Sequence, residues 1–255
     1  MQTKKLENFL TRRRNILSFK EKLQIFKEKC LNMVFPDDFT CIFCDCEISS
    51  GHICSDCLNK NIFNEGNRCE ICDTPIKEGN KICDHCKKSK RYYQKCISPF
   101  IYDGNVRKSV IKFKSDGAKY LGKIFAKFIY EKLVVENIDF DVIVPVPSHK
   151  KTIKERGYNP AKVLADELSK LSGKPVADAL YKTFQTQKQK LLNFEERQSN
   201  LENSITLLDK SALLNKNVLI VDDIITTSAT INTCAKLMIK AKNIYACSIA
   251  RRIFK

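Results

Sequence analysis

Eight of the 13 cysteines in this 255-residue sequence form four pairs, and two residues separate the cysteines of each pair. This spacing lets two thiolates from one tight turn reach the same tetrahedral ion, so four pairs predict two zinc ions. Sites of four cysteines leave no coordination position for water, which indicates structural rather than catalytic zinc. The expected ligands are Cys41, Cys44, Cys54, Cys57, Cys69, Cys72, Cys83 and Cys86.

The order of the pairs favours two successive zinc ribbons, because the intervals between pairs are similar in the two halves. One ribbon would run from Cys41 to Cys57 and the other from Cys69 to Cys86. A cross-braced arrangement stays open, since the sequence does not fix which pairs share an ion. The region has few apolar runs and cannot build much of a core without metal. Nearby Cys46, His52 and His85 are interpreted as bystanders.

The first 19 residues interrupt every apolar stretch with charge. They contain neither the apolar core of a signal peptide nor a stretch long enough to span a bilayer. We therefore expect a cytoplasmic protein without a transmembrane segment, in which reduced cysteines serve as metal ligands. The formal net charge is +16, from 45 Lys and Arg against 29 Asp and Glu. Such an excess favours polyanionic partners, although it is spread over the whole chain.

Composition divides the chain into three expected parts. Residues 1–36 read as a basic amphipathic helix, residues 37–91 as a zinc-ribbon module and residues 92–255 as an α/β domain. For the N-terminal helix we favour packing against the rest of the protein over contact with a membrane or nucleic acid. The sequence leaves these alternatives open.

Apolar strands alternate with helices in the third part. The strands DVIVPVP at 141–147 and NVLIVDD at 217–223 are apolar on both faces, which is typical of a parallel sheet flanked by helices. Further strands are predicted at 94–103, 180–186 and 243–252. Helices are predicted near 105–114, 118–136, 160–171, 194–200 and 229–240.

The most informative stretch is VLIVDDIITTSAT at residues 218–230. Two adjacent carboxylates, Asp222 and Asp223, stand at the carboxyl end of a strand, which is the edge where such sheets bind ligands. Backbone N–H groups of the hydroxyl-rich loop at 226–230 can hold an anion at the start of the next helix. The acids can accept hydrogen bonds from vicinal ribose hydroxyls, so the stretch predicts a ribose 5-phosphate site. A helix cap without ligand is the simpler alternative.

This segment resembles the motif with which type I phosphoribosyltransferases bind 5-phosphoribosyl 1-pyrophosphate (PRPP). The chain resembles the ComF family of competence-associated proteins, which join a zinc module to such a domain. The likeness implies a type I phosphoribosyltransferase-like parallel sheet flanked by helices, behind a cysteine-rich zinc-binding module and an N-terminal helix. It continues in MVFPDDFTCIFC, YDGNVRKSVIKFKSDGAKYLG, VIVPVPSHKKTIKERGYNPAKVLA and KTFQTQKQKLLNFEERQSNL.

The resemblance implies a role for each matching residue. Asp222 and Asp223 would be the catalytic pair that holds the ribose hydroxyls, and Mg²⁺ would bridge ribose and pyrophosphate oxygens. The 5-phosphate would lie against Thr226, Thr227, Ser228, Ala229 and Thr230. The pyrophosphate would lie near Ser148, His149 and Lys150, and polar positions of the family's loops match Arg156, Gln187 and Arg197.

The chain departs from the family pattern at two positions. Ser228 replaces a usual glycine, and a positive φ there would cost about 1–2 kcal/mol. Pro160 replaces a frequent glutamine, and we expect Asn159 to cap the helix with Pro160 in its first turn.

The ComF resemblance implies a function in natural competence, with DNA uptake and handling of single-stranded DNA alongside competence proteins. Phosphoribosyl transfer to an unknown acceptor is one expectation, since the residues supply no evident base-binding segment. Alternatives are a PRPP-sensing regulator without catalysis and a purine or pyrimidine salvage phosphoribosyltransferase. The excess of basic residues suits contact with nucleic acid.

Overall fold

The computed structural model describes residues 40–60, 62–182, 204–209 and 211–253. Contacts divide the described residues into two compact units, one with residues 40–41 and 45–54 and the other with residues 42–44 and the described residues from 55 onward. The predictions for the helices at 1–36 and 194–200, and for Gln187 and Arg197, lie outside the described residues.

Helices and strands alternate through most of the second unit. The helices are α1 (Ser55–Leu58), α2 (Asp84–Lys88), α3 (Gly104–Ser115), α4 (Leu121–Val135), α5 (Lys150–Arg156), α6 (Pro160–Ser172) and α7 (Ala229–Leu237). The strands are β1 (Lys95–Ile97), β2 (Phe100–Ile101), β3 (Val142–Pro145), β4 (Leu180–Lys182), β5 (Ile205–Leu207), β6 (Asn217–Val221), β7 (Ile224–Ile225), β8 (Asn243–Cys247) and β9 (Ala250–Arg251).

The described part of the central sheet has the strand order β1-β8-β6-β3, and each neighbouring pair is parallel. Strand β6 lies inside it, with Val142 opposite Val218 on one side and Ile244 opposite Val218 on the other. Leu219 and Ile220 are fully buried, as expected of a strand with apolar residues on both faces. The parallel sheet flanked by helices is therefore confirmed.

Two predicted strands are each interrupted, which the sequence did not indicate. Strand β1 stops before Ser98 and resumes as β2, and β8 stops before Ser248 and resumes as β9. The Ser98 N–H donates to the Asp73 carboxylate at 2.8 Å, and Pro99 has no N–H to donate. Strands β2, β9 and β7 consequently form a separate small parallel sheet beyond the break.

The α4 and α6 helices approach each other closely. A Cβ on Gly122 of α4 would lie 2.6 Å from Val163 Cγ1 of α6, so this contact requires glycine. Asn159 caps α6 by accepting a hydrogen bond from the Ala161 N–H at 3.1 Å, and Pro160 is in the first turn. The cap expected from the sequence is confirmed.

A buried ion network ties the turn after Cys72 to the rest of its unit. Asp73, 3% exposed, accepts from Arg68 at 2.7 Å and from Lys132 of α4 at 3.0 Å. Arg68 also contacts Glu136 at 3.0 Å, and Glu136 contacts Lys95 of β1 at 2.6 Å. Because each charge has an opposite partner, the network fixes the second cysteine-rich turn on this unit without leaving a charge uncompensated.

Within the described ranges, every helix is too short or too polar to cross a lipid bilayer.

Candidate functional site

A cleft of about 270 Å³ opens at the carboxyl ends of β3 and β6. It unites residues from the motif after β6, from the segment after β3, from α3 and from β4. Its lining consists of Lys114, Val146, Pro147, Ser148, His149, Thr152, Arg156, Asn159, Lys182, Asp222, Asp223 and Thr230. Six predicted site residues, Ser148, His149, Arg156, Asp222, Asp223 and Thr230, therefore meet in one place.

The two acids follow β6 directly and differ in their partners. The Asp222 N–H still donates to Cys247 O of β8 at 3.0 Å, and the Asp222 carboxylate accepts from the Asp223 N–H at 2.8 Å. Asp223 forms an ion pair of 2.9 Å with Lys114, which comes from the last turn of α3. Burial, and next the charge of Asp223, raise the pKa of Asp222 to about 7.

The raised pKa of Asp222 predicts a pH-dependent effect of Asp222→Asn on stability. The folded protein holds this proton up to about pH 7, whereas the unfolded chain loses it near the ordinary value of 3.8. Stability contributed by the group therefore falls as pH rises between these values, and the asparagine avoids that loss. We expect the melting temperature of Asp222→Asn, relative to wild type, to increase from pH 5.5 to pH 8. A difference independent of pH would contradict this assignment.

Residues 226–230, which the sequence predicts to bind a phosphate and which we call the phosphate loop, lead into α7. Ser228 has φ of 64°, so the positive φ considered from the sequence is confirmed at this position. The Ser228 side chain is buried, and its Oγ accepts a hydrogen bond from Arg251 Nη1 at 3.2 Å. That bond offsets part of the cost of about 1–2 kcal/mol for a left-handed residue other than glycine. Thr226 is exposed, and Thr227 Oγ1 accepts from the Ala229 N–H at 3.4 Å.

The segment after β3 forms the opposite wall of the cleft. Ser148 Oγ donates to Asn159 Oδ1 at 2.9 Å, and Asn159 Nδ2 donates to Val146 O at 3.0 Å. His149 caps α5 by accepting from the Lys151 N–H at 3.1 Å. These bonds fix the conformation of this wall of the cleft.

Not every predicted site residue lines the cleft. Of the phosphate loop, Thr230 does so, whereas Thr226, Thr227, Ser228 and Ala229 lie outside the lining. Lys150 also lies outside it, with its ammonium 5.5 Å from the centre of the Tyr181 ring.

The sequence analysis missed six lining residues. Four of them are polar, namely Lys114, Thr152, Asn159 and Lys182, and the other two are Val146 and Pro147. Lys114 and Asp223 are 109 positions apart, and the sequence offers 45 basic residues as partners. The position of Lys114 at the end of the helix that follows β1 and β2 is a signal that could have pointed to it. Together with Arg156, the two lysines give the cleft three cations against two acids, so it suits an anion that also has hydroxyl groups.

The paired cysteines form two groups in the described part of the chain. Cys41, Cys44, Cys54 and Cys57 are one group, and Cys69, Cys72, Cys83 and Cys86 are the other. In each group the sulfur atoms lie within 4.8 Å of one another. Two successive ribbons are therefore confirmed over the cross-braced alternative. Cys46, His52 and His85 lie outside both groups, as expected.

The geometry of both groups fits zinc. Tetrahedral Zn–S bonds of about 2.3 Å place sulfurs about 3.8 Å apart, and Cys72 Sγ lies 3.7 Å from Cys83 Sγ. A backbone N–H donates to a sulfur at 3.4 Å in each group, from Cys54 to Cys41 and from Cys86 to Cys83. In the second group, the hydrogen bond with Cys86 and then the charge of Arg251 lower the pKa of Cys72. Burial raises the pKa of Cys83, and the hydrogen bond with Cys72 raises the pKa of Cys86, so the group favours the thiolate at Cys72.

A family model and a known protein both match this chain. Residues 30–89 match the family model described as "Double zinc ribbon domain". Competence protein F of Haemophilus influenzae (strain ATCC 51907 / DSM 11121 / KW20 / Rd) is 26% identical over 214 residues, which cover 80% of this chain and 92% of that protein.

Solved structures match about half of the chain. A purine phosphoribosyltransferase from Pyrococcus horikoshii Ot3 is 20% identical, with 53% of this chain and 85% of that chain covered and a TM-score of 0.32. An adenine phosphoribosyltransferase from Leishmania tarentolae is 12% identical, with 56% and 61% covered and a TM-score of 0.36. The resemblance to the ComF family is confirmed by the double zinc ribbon match and by the similarity to Competence protein F over most of both chains.

Proposed function

We propose that this chain binds PRPP, or a nucleotide with the same ribose 5-phosphate group, in the cleft at the carboxyl ends of β3 and β6. The observation that carries the proposal is the placement of Asp222, Asp223 and Thr230 in one cleft with three cations. Paired acids beside a phosphate loop suit a sugar that has a diol at one end and a phosphate at the other.

In the proposed complex, each wall of the cleft binds a different part of the ligand. Asp222 and Asp223 accept hydrogen bonds from the ribose hydroxyls, and the amides of residues 226–230 receive the 5-phosphate. Ser148, His149 and Arg156 face the pyrophosphate. Mg²⁺ would enter with the ligand, held by phosphate and ribose oxygens and by the nearby carboxylates, and would neutralise the pyrophosphate.

The proposal extends to natural competence, because the similar protein from Haemophilus influenzae is named Competence protein F. We propose that single-stranded DNA and competence proteins are its partners and that it acts in the cytoplasm. The net charge of +16 favours contact with phosphate backbones. We also propose the division of the chain that the sequence predicts, with a basic helix at 1–36, a zinc-ribbon module at 37–91 and an α/β domain at 92–255.

Calorimetric titration of the zinc-loaded chain with PRPP and Mg²⁺ tests the binding site. Ribose 5-phosphate, ribose and pyrophosphate serve as comparison ligands, each added separately. We expect PRPP to bind most tightly, ribose 5-phosphate to bind measurably and ribose alone not to bind. Equal affinity for pyrophosphate and PRPP would contradict the proposal, because the acids would then recognise no part of the ligand.

Phosphoribosyl transfer is a second candidate, favoured by the cations Lys114, Arg156 and Lys182 around the paired acids. In such a reaction an acceptor bonds to the anomeric carbon while the bond to pyrophosphate breaks, and the cations stabilise the leaving anion. A pyrophosphate-release assay with PRPP and a panel of bases and nucleotides separates the candidates. Steady release with one acceptor identifies an enzyme, and the absence of release with every acceptor favours binding without transfer.

A further inference from the structure

We propose that Arg251 is a positioning residue that couples the second zinc site to the phosphate loop, residues 226–230. The second zinc site is the group Cys69, Cys72, Cys83 and Cys86. Zinc and a ribose phosphate then strengthen each other's binding, although they occupy different sites. The inference rests on the proposed function of the cleft and adds a dependence of that function on the ribbon.

Arg251 lies in β9 and is 3% exposed. Its Nη1 donates to Ser228 Oγ at 3.2 Å and its Nη2 donates to Thr226 O at 3.3 Å. Its Nε donates to Oγ1 of Thr74, which is two residues after Cys72. Because the N–H groups of a guanidinium form a rigid planar fork, a displacement of Thr74 moves the two donors that hold the loop.

The ribbon side of this connection ends at a zinc ligand. Thr74 Oγ1 lies 3.3 Å from Cys72 Sγ. Since this oxygen accepts from Arg251, its own proton is free to point at the sulfur once the cysteine is a zinc-bound thiolate. A site of four thiolates and one zinc ion carries a net charge of −2, which attracts the buried guanidinium. Metal binding therefore fixes both Thr74 and Arg251.

The loop side controls the groups that would meet the phosphate. In a trans peptide the carbonyl and the following N–H point in opposite directions, so the bond to Thr226 O sets the direction of the Thr227 N–H. The bond to Ser228 Oγ holds the one left-handed residue among positions 226–230, immediately before α7. Loss of either bond leaves the amides of the loop less well oriented for an anion.

Two further hydrogen bonds join the segment that follows the second ribbon to the helix that follows the loop. Asn232 of α7 accepts a hydrogen bond from the Tyr92 N–H at 2.9 Å and donates one to Lys90 O at 3.2 Å. The end of the ribbon and the start of α7 are therefore in polar contact, so a change in one is expected to alter the other.

Linkage requires that the coupling be reciprocal: if zinc raises the affinity for a ribose phosphate, the ribose phosphate raises the affinity for zinc by the same factor. We expect the tighter zinc binding to appear as slower zinc release from the full chain into excess 4-(2-pyridylazo)resorcinol. With saturating ribose 5-phosphate and Mg²⁺, one of the two zinc ions should leave the wild type at least about 5-fold more slowly.

Two variants interrupt the connection at different points, and a third variant is the control for an Arg-to-Lys substitution. Arg251→Lys keeps the charge but removes the fork, and Thr74→Val removes the hydroxyl while keeping the shape. We expect both to release zinc at the same rate with and without ribose 5-phosphate and to bind that ligand more weakly. Arg252→Lys, at the exposed neighbouring position, should behave like the wild type. A Co²⁺ spectrum that responds to ligand in the wild type but not in the two variants would support the same conclusion.

The outcomes separate this inference from the proposed function. Failure of the wild type to bind ribose 5-phosphate and PRPP would overturn both. Binding with unchanged release of both zinc ions would overturn the coupling and leave the cleft assignment intact. If ribose 5-phosphate slows zinc release in folded Thr74→Val or Arg251→Lys as much as in the wild type, Arg251 does not couple the two sites. If Arg251→Lys does not fold, the result for Thr74→Val decides the question.

Discussion

Replacing Asp222 and Asp223 together by asparagine is expected to weaken PRPP binding by at least about 100-fold. An asparagine oxygen still accepts a hydrogen bond but carries no charge. Because hydrogen bonds to charged groups contribute about 1.5–3 kcal/mol each and neutral ones about 0.5–1.5 kcal/mol, each substitution is expected to cost about 1.5 kcal/mol and the two together about 3 kcal/mol. The substitution keeps the size of both side chains and removes only their charge. Calorimetric titration with PRPP and Mg²⁺ at pH 8 measures the loss.

A matched control separates the loss of the site from a general loss of charge. Asp166→Asn with Asp178→Asn removes two carboxylates that pair with Lys162 outside the cleft, and it should leave PRPP affinity unchanged. Since Asp223→Asn leaves Lys114 without its carboxylate, Lys114→Gln is measured alongside. Unchanged affinity in the folded Asp222→Asn/Asp223→Asn protein would remove these residues from the site.

Loss of the second zinc site is expected to have the largest effect on stability. Cys69→Ser with Cys72→Ser should reduce the zinc content from two ions to one and lower the free energy of unfolding by several kcal/mol. The reason is the small apolar content of the ribbon, whose buried cluster consists of Cys69, Cys72 and Cys86 with a few partly buried neighbours. The affected turn also carries Asp73, which holds Arg68 and Lys132.

Metal analysis and urea unfolding test this prediction together. Cys46→Ser is the control, because Cys46 lies in the cysteine-rich part of the chain, within the first ribbon, but outside both sulfur groups. It should retain two zinc ions and the stability of the wild type. Two ions retained by Cys69→Ser/Cys72→Ser would mean that other residues complete the site, and the ligand set would then be wrong.

The sequence predicted the features that depend on local pattern. The strands at Val142–Pro145 and Asn217–Val221 have apolar residues on both faces, and this pattern alone indicates a buried parallel sheet. The spacing of the cysteines within each pair predicted the two tetrahedral zinc sites. The Asn159–Pro160 cap was predictable for the same reason, since a cap depends on neighbouring residues.

The sequence did not predict features that depend on distant residues. The strand breaks at Ser98 and Ser248 arise where the two serines meet at 2.8 Å and Asp73 takes the Ser98 N–H. Arg251 reaches Thr74 across 177 positions, and no periodicity encodes such a pairing. Helix α5 was missed because its residues are mostly basic and bury no apolar face.

The roles of the site residues stay predictions, and a crystal structure with ribose 5-phosphate and Mg²⁺ tests them most directly. We predict density for the phosphate at the amides of residues 226–230 and for the ribose hydroxyls at Asp222 and Asp223. An empty cleft at saturating ligand, or a ligand bound elsewhere, would contradict the proposed function.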